Sequence, residues 1–289
     1  MANLKEIRRR IASVKGTQKI TRAMKMVAAA KLRKAQEQAE NFREYSKLTS
    51  DVLAGVASDA DDDSHPLLER REQKKALVLE ISSDRGLCGG FNSNLNRLVA
   101  ERLKLSDVPV SLSVVGKKAK SYFEHRNVEV QRYYADVFDD LNYDAAAAIA
   151  QELAALYAAG EYDSISLAYN EMVSVVSQVP KVVPLLPLAL PEKKADDAKD
   201  IGPAGFVFEP EKKALLSILL PKYVEIKVFG ALLESLAAEH AARMSAMETA
   251  TNNAQDMIDS LTLVYNRARQ TAITSELMDI VGGAEALND

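Results

Sequence analysis

Two long stretches of this chain contain neither glycine nor proline. They are residues 17–54 and 231–281, and all nine prolines lie between Pro66 and Pro221. Because glycine and proline interrupt regular structure, this pattern predicts a long helix at each end and a broken middle region. The 51 residues of the second stretch would form a helix of roughly 75 Å at about 1.5 Å per residue. A helix of that length needs another helix, or a surrounding partner, to bury its apolar stripe.

Apolar and small residues recur every three or four positions along both stretches, which is the a/d pattern of a coiled coil. In the first stretch the seam consists of Leu4, Ile7, Ile11, Val14, Gln18, Thr21, Lys25, Ala28, Leu32, Ala35, Ala39 and Phe42. In the second stretch it consists of Phe229, Leu233, Leu236, His240, Arg243, Met247, Ala250, Ala254, Met257, Leu261, Val264 and Ala268. The two seams predict an antiparallel two-helix coiled coil with a compact domain at one end.

Charge is distributed very unevenly along the chain. The net charge is −4, but residues 1–36 carry eleven Lys or Arg and a single acid, Glu6. A basic helical end attracts an acidic protein surface, nucleic acid or anionic lipid. No apolar run approaches the roughly 20 residues that span a bilayer. Cys88 is the only cysteine, so an intrachain disulfide is excluded and a reducing compartment is expected.

The middle of the chain alternates between β-rich and helical patterns. Strands are predicted over 76–82, 110–115, 128–133, 163–169 and 173–184, and helices from about 91 to 105, over 117–125 and over 145–159. Such alternation predicts a Rossmann-like α/β domain with a partly parallel sheet. We therefore expect a mixed fold: an N-terminal coiled-coil helix over 1–57, a central α/β domain over 58–209 and a C-terminal coiled-coil helix over 210–289.

Candidate sites for catalysis, metals and cofactors are weak. The turn Gly86-Leu87-Cys88-Gly89-Gly90 follows a strand and opens a helix, where nucleotide-binding folds hold a phosphate. The chain has no G-x-G-x-x-G or G-x-x-x-x-G-K-[ST] motif, and glycines more often serve tight turns. Cys88 has no histidine nearby in sequence, and His65, His125 and His240 are scattered. We interpret His240 and Arg243 as a splayed or partner-facing point of the seam, and predict no catalytic, metal or cofactor site.

The amino-acid sequences of both ends resemble those of one protein family. The segments that carry the resemblance are Lys5–Val14, Thr17–Ala29, Ala242–Ala254 and Val264–Leu277, together with Ser83–Gly90 and Ser177–Pro180. They are similar to the gamma subunit of bacterial F-type ATP synthases, and the resemblance covers nearly the whole chain. It departs at Asp59–Asp63 and at Pro187–Gly205.

The resemblance implies a non-catalytic central rotor shaft. Such a shaft couples proton-driven rotation of the membrane c-ring to ATP synthesis on three beta subunits, and works in reverse during hydrolysis. The implied partners of the single copy are the alpha3-beta3 hexamer, the epsilon subunit and the c-ring, with membrane contact only through the complex and no nucleic acid. The absence of a transit segment and of a regulatory cysteine pair favours a bacterial protein, peripheral on the cytoplasmic face of the cell membrane.

Functional residues follow from the same resemblance. Contacts with the beta subunits are implied for Arg8, Arg9, Arg10, Met24, Lys25, Arg243, Arg269, Gln270, Thr274 and Glu276. Phe208 and Glu209 match a segment that faces the c-ring, and the apolar tip from Ile273 to Val281 matches one held in an apolar sleeve.

Two other functions are weighed from the residues. A coiled-coil protein could bind nucleic acid through its basic N-terminal helix, which predicts aromatic interleaving or a basic surface that continues into the middle domain. Neither is visible in the sequence. A nucleotide-binding α/β enzyme would bind ATP or NAD as an isolated chain, and we expect no such binding.

Overall fold

The chain is described here as a computed structural model, which covers residues 4–57, 65–189 and 212–285. Its elements are, in chain order, α1 (Leu4–Ala57), β1 (Ala76–Ile81), α2 (Phe91–Leu105), β2 (Val110–Val115), α3 (Lys117–Glu124), β3 (Val130–Tyr134), α4 (Tyr143–Ala158), β4 (Ser164–Met172), β5 (Gln178–Leu186) and α5 (Lys212–Glu285). The predicted fold, with two long terminal helices and a central α/β domain, is confirmed.

The central sheet has five strands in the order β3-β2-β1-β4-β5. The strands β1 to β4 are mutually parallel, whereas β5 runs antiparallel to β4. Each parallel step is made through a helix, as parallel pairing requires. The prediction of one extended run over 173–184 needs correction, because residues 173–177 form the turn that joins β4 to β5.

The core lies on both faces of this sheet because successive residues of a strand point to opposite sides. Leu77, Leu79 and Ile81 of β1 belong to the larger apolar cluster, which includes residues of α4, α5 and the end of α1. Val78 belongs to the second cluster, with residues of α2 and α3. A central strand buried on both faces explains why the sequence of β1 is almost continuously apolar.

The edge strand β5 contains two prolines. Pro180 lies opposite Asn170 of β4, and Pro184 lies opposite Ser166. Proline has no backbone N–H and is tolerated in sheets at edge strands. The positions 180 and 184 have the same orientation in the ladder, since they are an even number of residues apart.

The chain divides into two compact units. One consists of residues up to Ala28 together with those from Met244 onward, and the other consists of Ala29–Arg243. The first unit is a pair of helical segments, and the second contains the sheet, its helices and the adjoining parts of α1 and α5. The predicted domain boundaries at 57/58 and 209/210 border residues outside the described ranges and stay predictions.

The predicted seam of α1 is confirmed, since all of its positions are buried or half-buried. The seam of α5 is wrong at two positions. Met257 and Val264 are 53% and 49% exposed, whereas Ile258 is only 6% exposed and Tyr265 is half-buried. The spacing after Ala254 is therefore four and then three residues. Both phases satisfy a three-four repeat, so periodicity alone could not distinguish them.

The glycine pair Gly282-Gly283 does not stop α5. The helix continues through both glycines to Glu285, where the described residues end. Glycine is a weak helix former rather than an obligatory terminator, because its cost in a helix is only about 1 kcal/mol relative to alanine.

A carboxylic acid is buried in the central strand. Glu80 of β1 is fully buried, and its Oε2 atom has no hydrogen-bond partner among the described residues. The side-chain amide of Asn96 on α2 takes the orientation in which its nitrogen faces two acceptors. It donates to Glu80 Oε1 at 2.6 Å and to the Asn92 carbonyl oxygen at 2.9 Å. Burial raises the pKa of Glu80 to about 8, so the folded protein carries a neutral acid there at neutral pH.

We expect this acid to make stability depend on pH. The folded state keeps the proton of Glu80 up to about pH 8, whereas the unfolded chain releases it near the ordinary pKa of 4.5. The free energy of unfolding should therefore fall as pH rises from about 5 to 8, by up to about 1.4 kcal/mol per pH unit. Denaturant unfolding of Glu80→Gln should lack this slope, and the exposed-site variant Glu101→Gln should keep it. Parallel pH profiles for the wild type and Glu80→Gln would contradict the assignment.

Candidate functional site

The helical segments of the first unit pair in antiparallel register. Arg8 donates to the Tyr265 hydroxyl at 2.7 Å, and the Lys25 ammonium donates to Glu248 at 2.6 Å. The separation of 17 residues between Arg8 and Lys25 thus equals that between Glu248 and Tyr265. The Arg8 guanidinium also lies 5.7 Å from the centroid of the Tyr265 ring. These contacts hold α1 and α5 in a single register.

Polar residues occupy the seam between these two contacts. Gln18 donates to Gln255 at 2.9 Å, and the hydroxyls of Thr21 and Thr251 lie 2.8 Å apart. Each polar side chain on the α1 seam is therefore hydrogen-bonded to a side chain of α5. Polar groups at seam positions lower stability but select one register over its neighbours. The middle of the pair is consequently defined by hydrogen bonds as much as by apolar packing.

The coupling residues predicted on α1 fall into two groups. Arg8, Arg9 and Arg10 are exposed; Arg10 pairs with Glu6 at 2.9 Å, and Arg9 has no ion pair with any residue that the structure describes. Met24 is half-buried, and the Lys25 side chain, with 35% exposure, pairs with Glu248 across the helices. Exposed ion pairs contribute roughly 0–1 kcal/mol, so Lys25 can exchange Glu248 for another carboxylate at little cost.

The coupling residues predicted on α5 lie near its end. Arg269, Gln270, Thr274 and Glu276 are all exposed. In the register set by Arg8 and Tyr265, residue 269 lies opposite Leu4, where the described part of α1 begins. Residues 270–285 therefore have no described residue of α1 opposite them, over a length of roughly 24 Å at about 1.5 Å per residue.

The unopposed end of α5 is strongly apolar as well as exposed. Its apolar side chains are between 48% and 68% exposed, and they are Ile273, Leu277, Met278, Ile280 and Val281. A contiguous exposed apolar surface on a soluble protein marks a site of interaction. This surface begins next to Arg269 and Gln270, so apolar and polar contacts adjoin on one helix end.

The charges of the two helices differ. Residues 4–28 carry eight Lys or Arg and one acid, whereas residues 244–285 carry two Arg and six acids. The α5 segment thus offsets part of the positive charge of α1, but the pair stays positive. The surplus lies on α1, which leaves that side of the pair attractive to acidic surfaces.

Arg243 and His240 do not lie at a splayed or partner-facing point, and that interpretation is corrected. The Arg243 side chain is only 12% exposed and pairs with Glu239 at 2.6 Å. It also donates to the carbonyl oxygen of Gly86 at 3.3 Å and contacts His240 Nδ1 at 3.3 Å. Burial, with the nearby charges of Arg243 and Lys31, lowers the pKa of His240 to about 4. The turn that contains Gly86 covers this part of α5, which no seam pattern could reveal.

The same turn closes the edge of the sheet where related folds bind phosphate. Helix α3 begins at this edge, and its first three N–H groups are already paired: Lys117 donates to Asp84 Oδ1 at 2.9 Å, Lys118 to the Ser83 carbonyl at 3.1 Å, and Ala119 to Ser82 Oγ at 2.9 Å. A phosphate would find these three donors of α3 occupied, whereas the turn Gly86–Gly90 itself leads into α2, whose N-cap Gly90 makes no side-chain cap hydrogen bond.

Cys88, in this turn, is 2% exposed, and burial raises the pKa of its thiol. A buried thiol with a raised pKa is a poor nucleophile. Among the described residues, no group of three or more His, Cys, Asp or Glu side chains is arranged to hold a metal ion. None of the described helices has an apolar stretch long enough to cross a membrane. Phe208 and Glu209 lie outside the described residues.

Sequence reasoning missed the partners of the predicted residues. The predicted seam contains Val264 and leaves out Tyr265, although an aromatic residue four positions after Leu261 is a usable signal. Glu248 was also missed, although it is the only acid between Glu239 and Asp256. Pairing from the two helix ends inward would have placed it opposite Lys25.

Known proteins resemble this chain along its whole length. A family model described as ATP synthase matches residues 3–287. The protein named ATP synthase gamma chain of Moorella thermoacetica is 47% identical over 287 residues, which cover 99% of this chain and all of that protein. A central stalk chain in a structure of the Tetrahymena thermophila mitochondrial ATP synthase is 29% identical, with a TM-score of 0.59, and covers 80% of this chain and 99% of its own. A chain of the Euglena gracilis mitochondrial ATP synthase has the same fold, with a TM-score of 0.70 and 21% identity. The match covers 98% of this chain and 94% of that one.

The closed sheet edge predicts an unequal effect of two glycine substitutions. Gly116 has a φ of +93°, and a Cβ there would lie 2.3 Å from the Ser82 carbonyl oxygen. Gly160 also has a positive φ, +74°, but a Cβ there would meet nothing closer than 3.5 Å. We expect Gly160→Ala to cost about 1–2 kcal/mol in unfolding free energy, from backbone strain alone. Gly116→Ala should cost clearly more, because the Cβ also displaces the Ser82 backbone. Equal losses in denaturant unfolding would contradict this packing.

Proposed function

This chain belongs to the ATP synthase gamma chain family, and from that premise we propose that it is the central rotor shaft of an F-type ATP synthase. It couples rotation of the membrane c-ring to the conformational cycle of three catalytic beta subunits. The observation that carries the proposal is the antiparallel helix pair with its exposed α5 end, in a chain that matches gamma chains along its whole length. The nucleic-acid alternative has no comparable support.

The physical basis of the role is a mismatch of symmetry. A pair of helices cannot present the same face to three sites placed around it. Each catalytic site therefore meets a different surface, and a surface shifts a conformational equilibrium only by its difference in interaction energy with the two states. A tenfold difference in nucleotide affinity between sites requires about 1.4 kcal/mol. Rotation of the shaft moves each surface on to the next site in turn.

The reverse direction follows from linkage. If the orientation of the shaft changes the affinity of a site for nucleotide, then nucleotide binding must change the preferred orientation of the shaft by the same free energy. ATP hydrolysis at the three sites in sequence thus drives rotation one way, and proton flow through the membrane sector drives it the other way. The chain itself does no bond chemistry, in keeping with its role as a non-catalytic subunit.

We assign the contacts with the beta subunits to two surfaces. The first is the basic side of α1, with Arg8, Arg9, Arg10, Met24 and Lys25, and it suits acidic loops because of its surplus positive charge. The second is the exposed end of α5, with Arg269, Gln270, Thr274 and Glu276. Apolar residues from Ile273 onward continue that surface and suit an apolar sleeve.

Arg243 has a different place in this scheme. We propose that it acts on the beta subunits indirectly, because its guanidinium is held by Glu239 and the Gly86 carbonyl. Phe208 and Glu209 are proposed to face the c-ring, and the central α/β domain is proposed to meet the epsilon subunit. The chain is part of a membrane-bound complex, and we propose that it lies peripherally on the cytoplasmic face of a bacterial cell membrane.

Charge substitutions on the two surfaces should uncouple the assembled complex. We expect Lys25→Glu and Arg269→Ala each to reduce ATP-driven proton pumping by about fivefold or more, which corresponds to roughly 1 kcal/mol of coupling free energy. Subunit assembly should be retained, since both side chains lie on the surface. Pumping is measured in inverted vesicles that carry the variant complex. ATP is added, and the quenching of a fluorescent dye that responds to the pH gradient is recorded. The rate of ATP hydrolysis is measured in parallel.

Two variants serve as controls for that experiment. Glu248→Gln breaks the same internal ion pair as Lys25→Glu but leaves the lysine charge available, so pumping should stay near the wild-type rate. Lys104→Glu reverses an exposed charge on α2, which belongs to neither surface, and should also have little effect. Normal pumping in both Lys25→Glu and Arg269→Ala would refute the assignment of these surfaces.

The role itself is tested by purification. A tagged copy of this chain, expressed from its native operon, should copurify with two larger nucleotide-binding subunits in three copies each and with the small ring subunit. Quantitative mass spectrometry of the intact complex gives the stoichiometry. Recovery of the chain alone, or with nucleic acid, would refute the proposal.

A further inference from the structure

A buried carboxylate joins α4 to α5 in the second unit. Glu225 of α5 is 2% exposed, yet its two oxygens receive three hydrogen bonds. The Tyr143 hydroxyl donates to Oε2 at 2.8 Å, the Gln151 amide donates to Oε1 at 2.9 Å, and the Lys222 ammonium donates to Oε2 at 2.8 Å. Tyr143 and Gln151 both belong to α4, so a single side chain of α5 holds two points of the neighbouring helix.

Glu225 is ionised in spite of its burial. Burial opposes the charge, but the hydrogen bonds from Lys222, Gln151 and Tyr143 and the charge of Lys222 together hold the pKa of Glu225 below its ordinary value. Hydrogen bonds to an ionised acceptor are about twice as strong as those between neutral groups. The two hydrogen bonds that join α4 to α5 are therefore stronger than two bonds between neutral groups would be.

Aromatic rings extend this connection to α1. The ring of Tyr143 meets the ring of Phe229 edge-on, with 5.6 Å between centroids, and Phe229 meets Phe42 of α1 in the same way at 4.8 Å. Such edge-to-face pairs contribute about 0.5–1.5 kcal/mol each beyond their buried area. Helices α4, α5 and α1 are thus linked within a few residues of one another. We call this set, Phe42, Tyr143, Gln151, Lys222, Glu225 and Phe229, the Glu225 junction.

We propose that the Glu225 junction fixes the α/β domain against rotation relative to α1 and α5, and that Glu225 is its positioning residue. This inference rests on the proposed function as a rotor shaft. A torque that enters through the α/β domain must reach both helices, and the junction is where one element of that domain, α4, is hydrogen-bonded and stacked onto them.

The kind of interaction matters for this role. Apolar packing, such as that of the larger core cluster, is non-directional, so it opposes separation of two surfaces more than it opposes sliding. Hydrogen bonds weaken steeply when their angle or length departs from the ideal, and so they resist sliding and rotation. The two bonds from α4, whose donors Tyr143 and Gln151 lie about two turns apart, resist sliding at two points, and the bond from Lys222 within α5 fixes the carboxylate that receives them.

Torsional stiffness in the assembled complex tests the inference. The purified complex of this chain with its alpha and beta subunits is immobilised, and a gold nanorod is attached to a cysteine introduced by Glu101→Cys on α2. The native Cys88 is buried and will not react. During each catalytic pause under ATP, the angular variance of the rod is inversely related to the stiffness between the α/β domain and the ring. We expect Glu225→Gln to raise this variance by about twofold, because a neutral amide halves the strength of the hydrogen bonds.

Two further variants separate positioning from general destabilisation. Tyr143→Phe removes one hydrogen bond but keeps the ring stack, and should raise the variance by a smaller factor. Glu152→Gln breaks an ion pair between the same helix and Arg132 of β3, which does not involve α5, and should leave the variance unchanged. A variance in Glu225→Gln equal to that of the wild type would overturn the inference. If Glu225→Gln does not assemble, Tyr143→Phe decides in its place.

Failure of the proposed function has a different signature. A wild-type complex that hydrolyses ATP without three pauses per turn would refute the shaft role but not the junction. Amide hydrogen exchange over residues 143–151 gives a separate reading of the junction that requires no rotation. Exchange there should be faster in Glu225→Gln than in Glu152→Gln, and equal rates would overturn the junction on their own.

Discussion

The antiparallel register of the two helical segments is the constraint on which the rest of the structure depends. Apolar seam residues supply most of the burial in this helix pair, and its polar contacts mark the register: Arg8 with Tyr265 at one end, Lys25 with Glu248 at the other, and paired glutamines and threonines between them. A slip by one turn would break all four of these contacts at once. The helix pair is thus described by one register. A shaft needs one defined structure if its orientation is to decide which surface each catalytic site meets.

The α/β domain uses a nucleotide-binding architecture for a mechanical purpose. The sheet order and the turn after β1 match the place where such folds receive phosphate. Here the turn is packed on α5 through Arg243, and the neighbouring start of α3 is paired with Ser82, Ser83 and Asp84. This edge of the sheet therefore serves attachment to α5. The Glu225 junction adds a second attachment to α5, on the face of the sheet where α4 packs.

Much of the fold could be predicted from sequence because its signals are local. The absence of glycine and proline predicted the long helices, and short β-rich runs predicted β1 and β2 to within a residue, whereas β5 begins five residues later than predicted. The seam of α5 failed at Met257 and Val264 because two phases of the same repeat compete, and contacts with α1 decide between them. The roles of His240, Arg243 and Glu225 could not be predicted from sequence, for a related reason. Their roles depend on which loop or helix covers them, and a periodic pattern holds no information on distant neighbours.

The two prolines of β5 have a consequence for how the chain behaves before it meets its partners. An exposed sheet edge is a template on which a second strand can add, and two copies of one chain offer each other matching edges. Pro180 and Pro184 withhold two of the donors that such an addition would use. Newly made chains are thereby discouraged from joining to one another through their sheets. A subunit that assembles with other chains benefits if copies of it do not pair with one another before assembly.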